Sequence, residues 1–120
     1  MRWVAVSAAI EAATGLVLIF KPSALAWLLL GADLTLAGDA VGRIAGFALL
    51  SLGWACRPKG NAGGGDALLA LLIYNGLTTV FLAYLALAGE LIGPLLWPAI
   101  ALHAILSVLL LRAQIAPPAK

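Results

Sequence analysis

A chain of 120 residues that is 64% apolar and 10% charged, with mean hydropathy +1.11, has too few polar side chains to cover a water-soluble fold of its size. Its net charge of +2 comes from seven basic residues scattered along the chain, which excludes the clustered basic face that nucleic-acid binding needs. A single cysteine, Cys56, and a single histidine, His103, exclude an internal disulfide, a cysteine-based zinc or iron–sulfur site and bis-histidine haem ligation within one chain.

A helix that crosses a bilayer needs about 20 mainly apolar residues, and four stretches approach this, at 3–20, 40–56, 67–88 and 94–111. They predict an all-α integral membrane four-helix bundle, one domain over residues 1–115, with 116–120 as a flexible tail. Arg2, the apolar run behind it and the Ser23-Ala-Leu-Ala26 segment imitate a signal peptide, but Glu11 interrupts the run and favours a retained span. Lys21 and Pro22 close this first span. Ser23 then caps a short apolar helix over 24–30, which stops at Gly31 and is too short to cross a membrane, so it is expected in the interface.

Gly38 and Asp39 are expected to cap the second span and Arg57-Pro58 to end it. The glycine-rich segment 59–66 reads as a flexible loop, and Gly89 and Pro94 bracket the last connection. Arg2, Arg57, Lys59, Arg112 and Lys120 fall on one side of this layout, against Lys21 and Arg43 on the other, which directs both termini to the cytoplasm. In a bacterium that means a multi-pass protein of the inner membrane. Trp3, Trp27, Trp54 and Trp97 all fall near span ends and read as interfacial anchors.

Chemistry, if present, rests on the polar residues inside the spans, since an ionisable group at mid-bilayer costs roughly 2.5–3.5 kcal/mol on insertion scales. Glu11 lies about eight residues into the first span, roughly 12 Å from its edge at the helical rise of 1.5 Å per residue. Tyr74 and Asn75 stand at a similar depth in the third span and His103 in the fourth. Arg43 enters from the outer end of the second, and its long side chain can reach toward the same layer. These five residues form the candidate ligand or proton site.

Spacings of three and four place Ser7, Glu11 and Thr14 on one stripe, Asn75 and Thr79 on another, and Ala99, His103 and Ser107 on a third. Gly38, Gly42 and Gly46 make a small-residue ridge suited to close helix packing. Two readings of the layer stay open. In one, Glu11 exchanges a proton or holds a polar ligand; in the other, Glu11 pairs with Arg43 and the layer fixes helix register. Asp39, four residues before Arg43, competes for that arginine. Asp33, Asp66 and Glu90 fall in loops and are expected to be solvated, and neither a metal nor a cofactor is expected.

The combination of Glu11-Ala-Ala-Thr-Gly15, Pro22, Gly42-Arg43-Ile-Ala-Gly46 and Tyr74-Asn75 resembles the small four-span bacterial membrane proteins grouped as DoxX-like. That resemblance implies the four-span fold and little about activity. Glu11 also resembles the glutamate in the first span of the small multidrug resistance transporters, but their glycine-rich third span and aromatic cage have no counterpart here, and Arg43 and His103 are foreign to their pattern. The resulting expectation is a small membrane protein that binds or moves a small molecule or proton through the Glu11 layer, working as an oligomer. The alternative is an accessory subunit that joins a larger membrane complex through the glycine ridge. An enzyme with Glu11 and His103 as acid and base is the weakest of the three readings, because no nucleophile elbow or phosphate-binding loop is present.

Overall fold

The computed structural model describes residues 2–58 and 64–117. Within them the chain forms five helices, α1 (Arg2–Phe20), α2 (Pro22–Leu30), α3 (Leu36–Ala55), α4 (Gly64–Ala88) and α5 (Leu96–Ile115). Helices α1, α3, α4 and α5 are long and apolar enough to cross a membrane, which makes this an all-α, multi-pass membrane protein by length and composition. The expected loop over 59–63 and the tail from 118 onward lie outside the described residues.

Helix boundaries depart from expectation where capping chemistry decides them. The α3 helix starts four residues early, because the Thr35 hydroxyl accepts a hydrogen bond from the Gly38 amide at 3.0 Å. Gly38 and Asp39 are therefore inside the first turn rather than its cap, and Asp39 lies where the helix dipole favours an acid. Ser23 does not cap α2 either. Pro22, whose fixed φ suits a first helical position, opens that helix behind Lys21 without a side-chain cap bond. Gly64, Gly65 and Asp66, expected in a loop, form the first turn of α4. Pro94 precedes α5, and the helix begins at Leu96.

The four long helices pack as two close pairs, α1 with α3 and α4 with α5. In the first pair the backbones approach through small residues, as lipid requires when no hydrophobic force separates helix from tail. A methyl group on Gly46 would stand 2.7 Å from the Gly15 carbonyl oxygen, and one on Gly53 would stand 2.5 Å from that of Ala8. The expected glycine ridge thus divides. Gly46 packs on α1 and Gly42 faces Pro22, while Gly38 meets only Leu34 and Thr35 of its own loop. Gly15 and Gly53 complete the contact.

The two pairs meet in the half of the bundle that holds Arg2, where Val4 and Ala8 of α1 bury against Cys56, Leu68, Leu71 and Leu110. Cys56 is a packing residue in that cluster. At the opposite end Leu82, Ala86 and Leu96 form a separate cluster between α4 and α5. Here α2 sits between the pairs. Its last carbonyls, orphaned by the end of the helix, accept hydrogen bonds from the loop before α5: Gly93 donates to Leu29 at 2.9 Å and Leu95 to Leu28 at 2.7 Å. Gly31 turns the chain away from α2 with φ of 65°, in the left-handed region that glycine adopts freely. Because α2 holds the pairs apart at this end, a cleft remains between them.

Candidate functional site

The polar layer is centred on Asn75, which is fully buried on α4. Its Nδ2 donates to the Ser7 hydroxyl of α1 at 3.0 Å and to the Leu71 carbonyl at 2.8 Å. A carbonyl can only accept, so the Leu71 bond fixes the orientation of the amide and turns Oδ1 toward α5. There it stands 2.8 Å from Nδ1 of His103. An amide oxygen also only accepts, and Nδ1 must therefore carry the hydrogen. In the neutral ring this leaves Nε2 as a bare acceptor, with no hydrogen bond among the described residues. One asparagine thus joins three helices and selects the histidine tautomer.

Glu11 lies one turn beyond Ser7 on α1 and is 1% exposed. Neither of its carboxyl oxygens has a hydrogen-bond partner among the described residues. The Tyr74 phenol is its polar neighbour, close enough to interact with the carboxyl but without the geometry of an ordinary hydrogen bond, and it also meets Thr78. The Tyr74 ring stands edge-on to His103, with centroids 6.0 Å apart and planes at 76°. Glu11, Tyr74, Asn75 and His103 are therefore brought together, and Ser7 joins them.

Arg43 is not. Its Nε bonds Asp39 at 3.1 Å and its Nη1 bonds the Ile19 carbonyl at 2.6 Å, with nearly half of the side chain exposed. Of the two acids left open for Arg43, the structure takes Asp39 and not Glu11: the local i,i+4 acid competes successfully, and the carbonyl at the end of α1 takes a second donor. Arg43 locks α3 to the C-terminal end of α1.

Thr14, Thr79 and Ser107 each turn their hydroxyl back to the carbonyl four residues earlier, at 2.9, 2.8 and 2.8 Å. These three hydroxyls therefore make no bonds between helices, since a hydroxyl in an apolar helix can be satisfied by its own backbone. Ser7 is the exception.

Above this layer lies a cavity of about 600 Å³ between the helix pairs. Its polar lining consists of Thr14, Tyr74, Thr78 and His103; the rest is apolar, including Ile10 and Leu18 of α1, Leu25 and Leu29 of α2, and Ala45, Ala48 and Leu49 of α3. A second cavity of about 430 Å³ shares Leu18, Leu25, Leu29, Ala45 and Leu82 with it, so the two form one cleft around α2. The volume is that of a small-molecule site. Sequence reading missed the cleft and Thr78, because the cleft arises from the position of α2, which no periodicity encodes. Comparison with known proteins adds no relative: no family model matches the chain, and no curated protein or solved structure matches it significantly.

Proposed function

We propose that this membrane protein binds a small, mainly apolar molecule in the cleft between its two helix pairs, with the polar end of that molecule at Tyr74 and His103. The observation that carries the reading is the shape and lining of the cleft, apolar along α2 and α3 and polar at its floor. Sites for small ligands have this composition, with few polar groups set in an apolar wall. The buried cluster of Val4, Leu71 and Leu110 closes the bundle beneath the layer. Binding from one side therefore needs no rearrangement, whereas movement across the membrane requires that cluster to part.

Orientation belongs to the same proposal. Arg2, Arg57 and Arg112 mark the end of the bundle below the polar layer, and Lys21 marks the end where the cleft lies. The excess of arginine supports a cytoplasmic position for both termini in a bacterial inner membrane, with the cleft in the outer half.

The accessory-subunit reading loses its proposed surface, since Gly42 and Gly46 face Pro22 and α1 of the same chain. The binding reading is tested by native mass spectrometry of protein released from its own membranes in gentle detergent, beside the variant Ala48→Phe, which fills the cleft from α3. A bound small molecule that the variant loses is the expected result. Equal retention by both proteins, or no bound molecule in either, refutes it.

A further inference from the structure

Which head the cleft accepts follows from where the hydrogens at its floor are spent, an inference that rests on the binding reading above. Thr14 lines the cavity but gives its hydroxyl hydrogen to the Ile10 carbonyl at 2.9 Å. The Tyr74 and Thr78 hydroxyls lie within reach of each other, and the Glu11 carboxyl, outside the lining, stands behind Tyr74 as its second polar neighbour.

His103 differs from these three. Asn75 Oδ1, 2.8 Å away, holds the ring hydrogen on Nδ1, which leaves Nε2 across the ring as an acceptor with no hydrogen bond among the described residues. Among those residues the two Glu11 oxygens are the side-chain polar atoms that are both sealed in and unpartnered. Nε2 is unpartnered without being sealed, so it opens into the cavity that His103 lines.

Charge narrows the choice further. Among the described residues no aspartate, glutamate, lysine or arginine lines the cavity, and its walls along α2 and α3 are hydrocarbon. An ionic head loses its hydration there with no opposite charge in contact to replace it. A head that can only accept, such as an ether or ketone, displaces water from Nε2 and leaves that nitrogen unpaired.

We propose that the cleft takes a neutral lipophilic alcohol, whose hydroxyl donates to Nε2 of His103 while its hydrocarbon body lies along α2 and α3. The same oxygen keeps its lone pairs for the Thr78 hydroxyl, so one small head serves both sides of the floor.

The test compares undecan-1-ol with its isomer decyl methyl ether, which lacks a donor, and with undecylamine, which is protonated at a working pH of about 8. Each competes for radiolabelled undecan-1-ol on the detergent-solubilised protein, and nitrogen NMR of labelled His103 follows Nε2. The alcohol is expected to bind saturably and at least about fivefold more tightly than the ether or the amine, since either of those leaves an acceptor unpaired or a charge unmatched. It is also expected to move Nε2 toward the more shielded position of a hydrogen-bonded acceptor, while the ether leaves that resonance in place. In His103→Phe the advantage over the ether should vanish while both probes still bind. The probe series and the spectrum of the unaltered protein decide the matter even if that variant does not fold. Ether or amine binding as tightly as the alcohol, alcohol binding that leaves Nε2 unmoved, or alcohol binding that Ala48→Phe leaves intact overturns the inference, as does binding of no probe. The cleft then stands as a binding site if native mass spectrometry finds a molecule that Ala48→Phe loses, and both readings fall if it does not.

Discussion

The α1–α3 contact gives the sharpest test of the packing, because two glycines leave no room for one added carbon. In Gly46→Ala the new methyl stands 2.7 Å from the Gly15 carbonyl oxygen and 2.9 Å from the Ile19 amide nitrogen, both backbone atoms that no rotamer change can move. It falls short of the 3.4 Å where ordinary contact begins by about 0.7 Å, so the helices must separate. In Gly53→Ala the clash is with the Ala8 carbonyl at 2.5 Å. Overpacking of this kind costs about 1–3 kcal/mol, less whatever helix propensity alanine returns. Both substitutions act on one interhelical distance. Once the pair has moved apart for the first methyl the second is partly accommodated, and the double variant is expected to cost less than the sum of the singles. The assay is reversible unfolding in mixed micelles by denaturing detergent, with Gly76→Ala as control, since nothing lies within 4 Å of a methyl at that position on α4. The control should match the parent or exceed its stability by up to about 1 kcal/mol. Single variants at Gly46 and Gly53 that both unfold with the control refute the close backbone approach.

Three further outcomes follow from the site. Asn75→Leu removes bonds to Ser7 and His103, and at the values measured between membrane helices the loss is about 1–2 kcal/mol, read by the same unfolding assay; an unchanged midpoint contradicts the three-helix junction. Nitrogen NMR of labelled His103 is expected to find hydrogen on Nδ1 and a bare Nε2 in the neutral ring, and the reverse tautomer contradicts the assigned orientation of Asn75. Arg43→Ala and Glu11→Gln should act independently in a double-mutant cycle, with a coupling below about 0.5 kcal/mol, because Arg43 is bound to Asp39 and Ile19; a coupling above about 1 kcal/mol restores the ion pair between them.

Hydropathy carried the architecture because a bilayer-spanning helix leaves a long, uninterrupted signal, and α1, α3, α4 and α5 were each visible on that ground alone. Depth was legible too: counting residues from the span ends placed Glu11, Tyr74, Asn75 and His103 in one layer, as helical rise dictates. Partner choice was not. Arg43 had two acids within plausible reach on sequence grounds, and only the packed position of α3 on α1 showed that it bonds Asp39 and, as its second contact, the Ile19 carbonyl. Likewise Thr14, Thr79 and Ser107 share their stripes with Glu11, Asn75 and His103 by spacing, yet their short side chains bond their own helices. Gly53 was overlooked because it lies seven residues from Gly46, two turns along the same face, while the evenly spaced set at 38, 42 and 46 drew attention to a helix end.

The cleft and the unpartnered carboxyl have a common origin in the asymmetry of the two halves. In the half with Arg2, large aliphatic side chains, Leu68, Leu71 and Leu110, pack into the space between the pairs. In the other half α3 presents Ala45 and Ala48 to the same space, side chains too short to reach α4, and α2 enters only as far as its Leu25 and Leu29. Glu11 stands where filling gives way to opening. A carboxyl deeper in the leucine cluster would meet only hydrocarbon, and one nearer the end would be hydrated; at this level it is withdrawn from solvent behind Tyr74, which lines the cavity. Enlarging Ala45 or Ala48 should therefore fill the cleft without disturbing Asn75, whereas substitutions at Leu71, whose carbonyl accepts from Asn75 and whose side chain packs in the leucine cluster, should disturb Asn75 first.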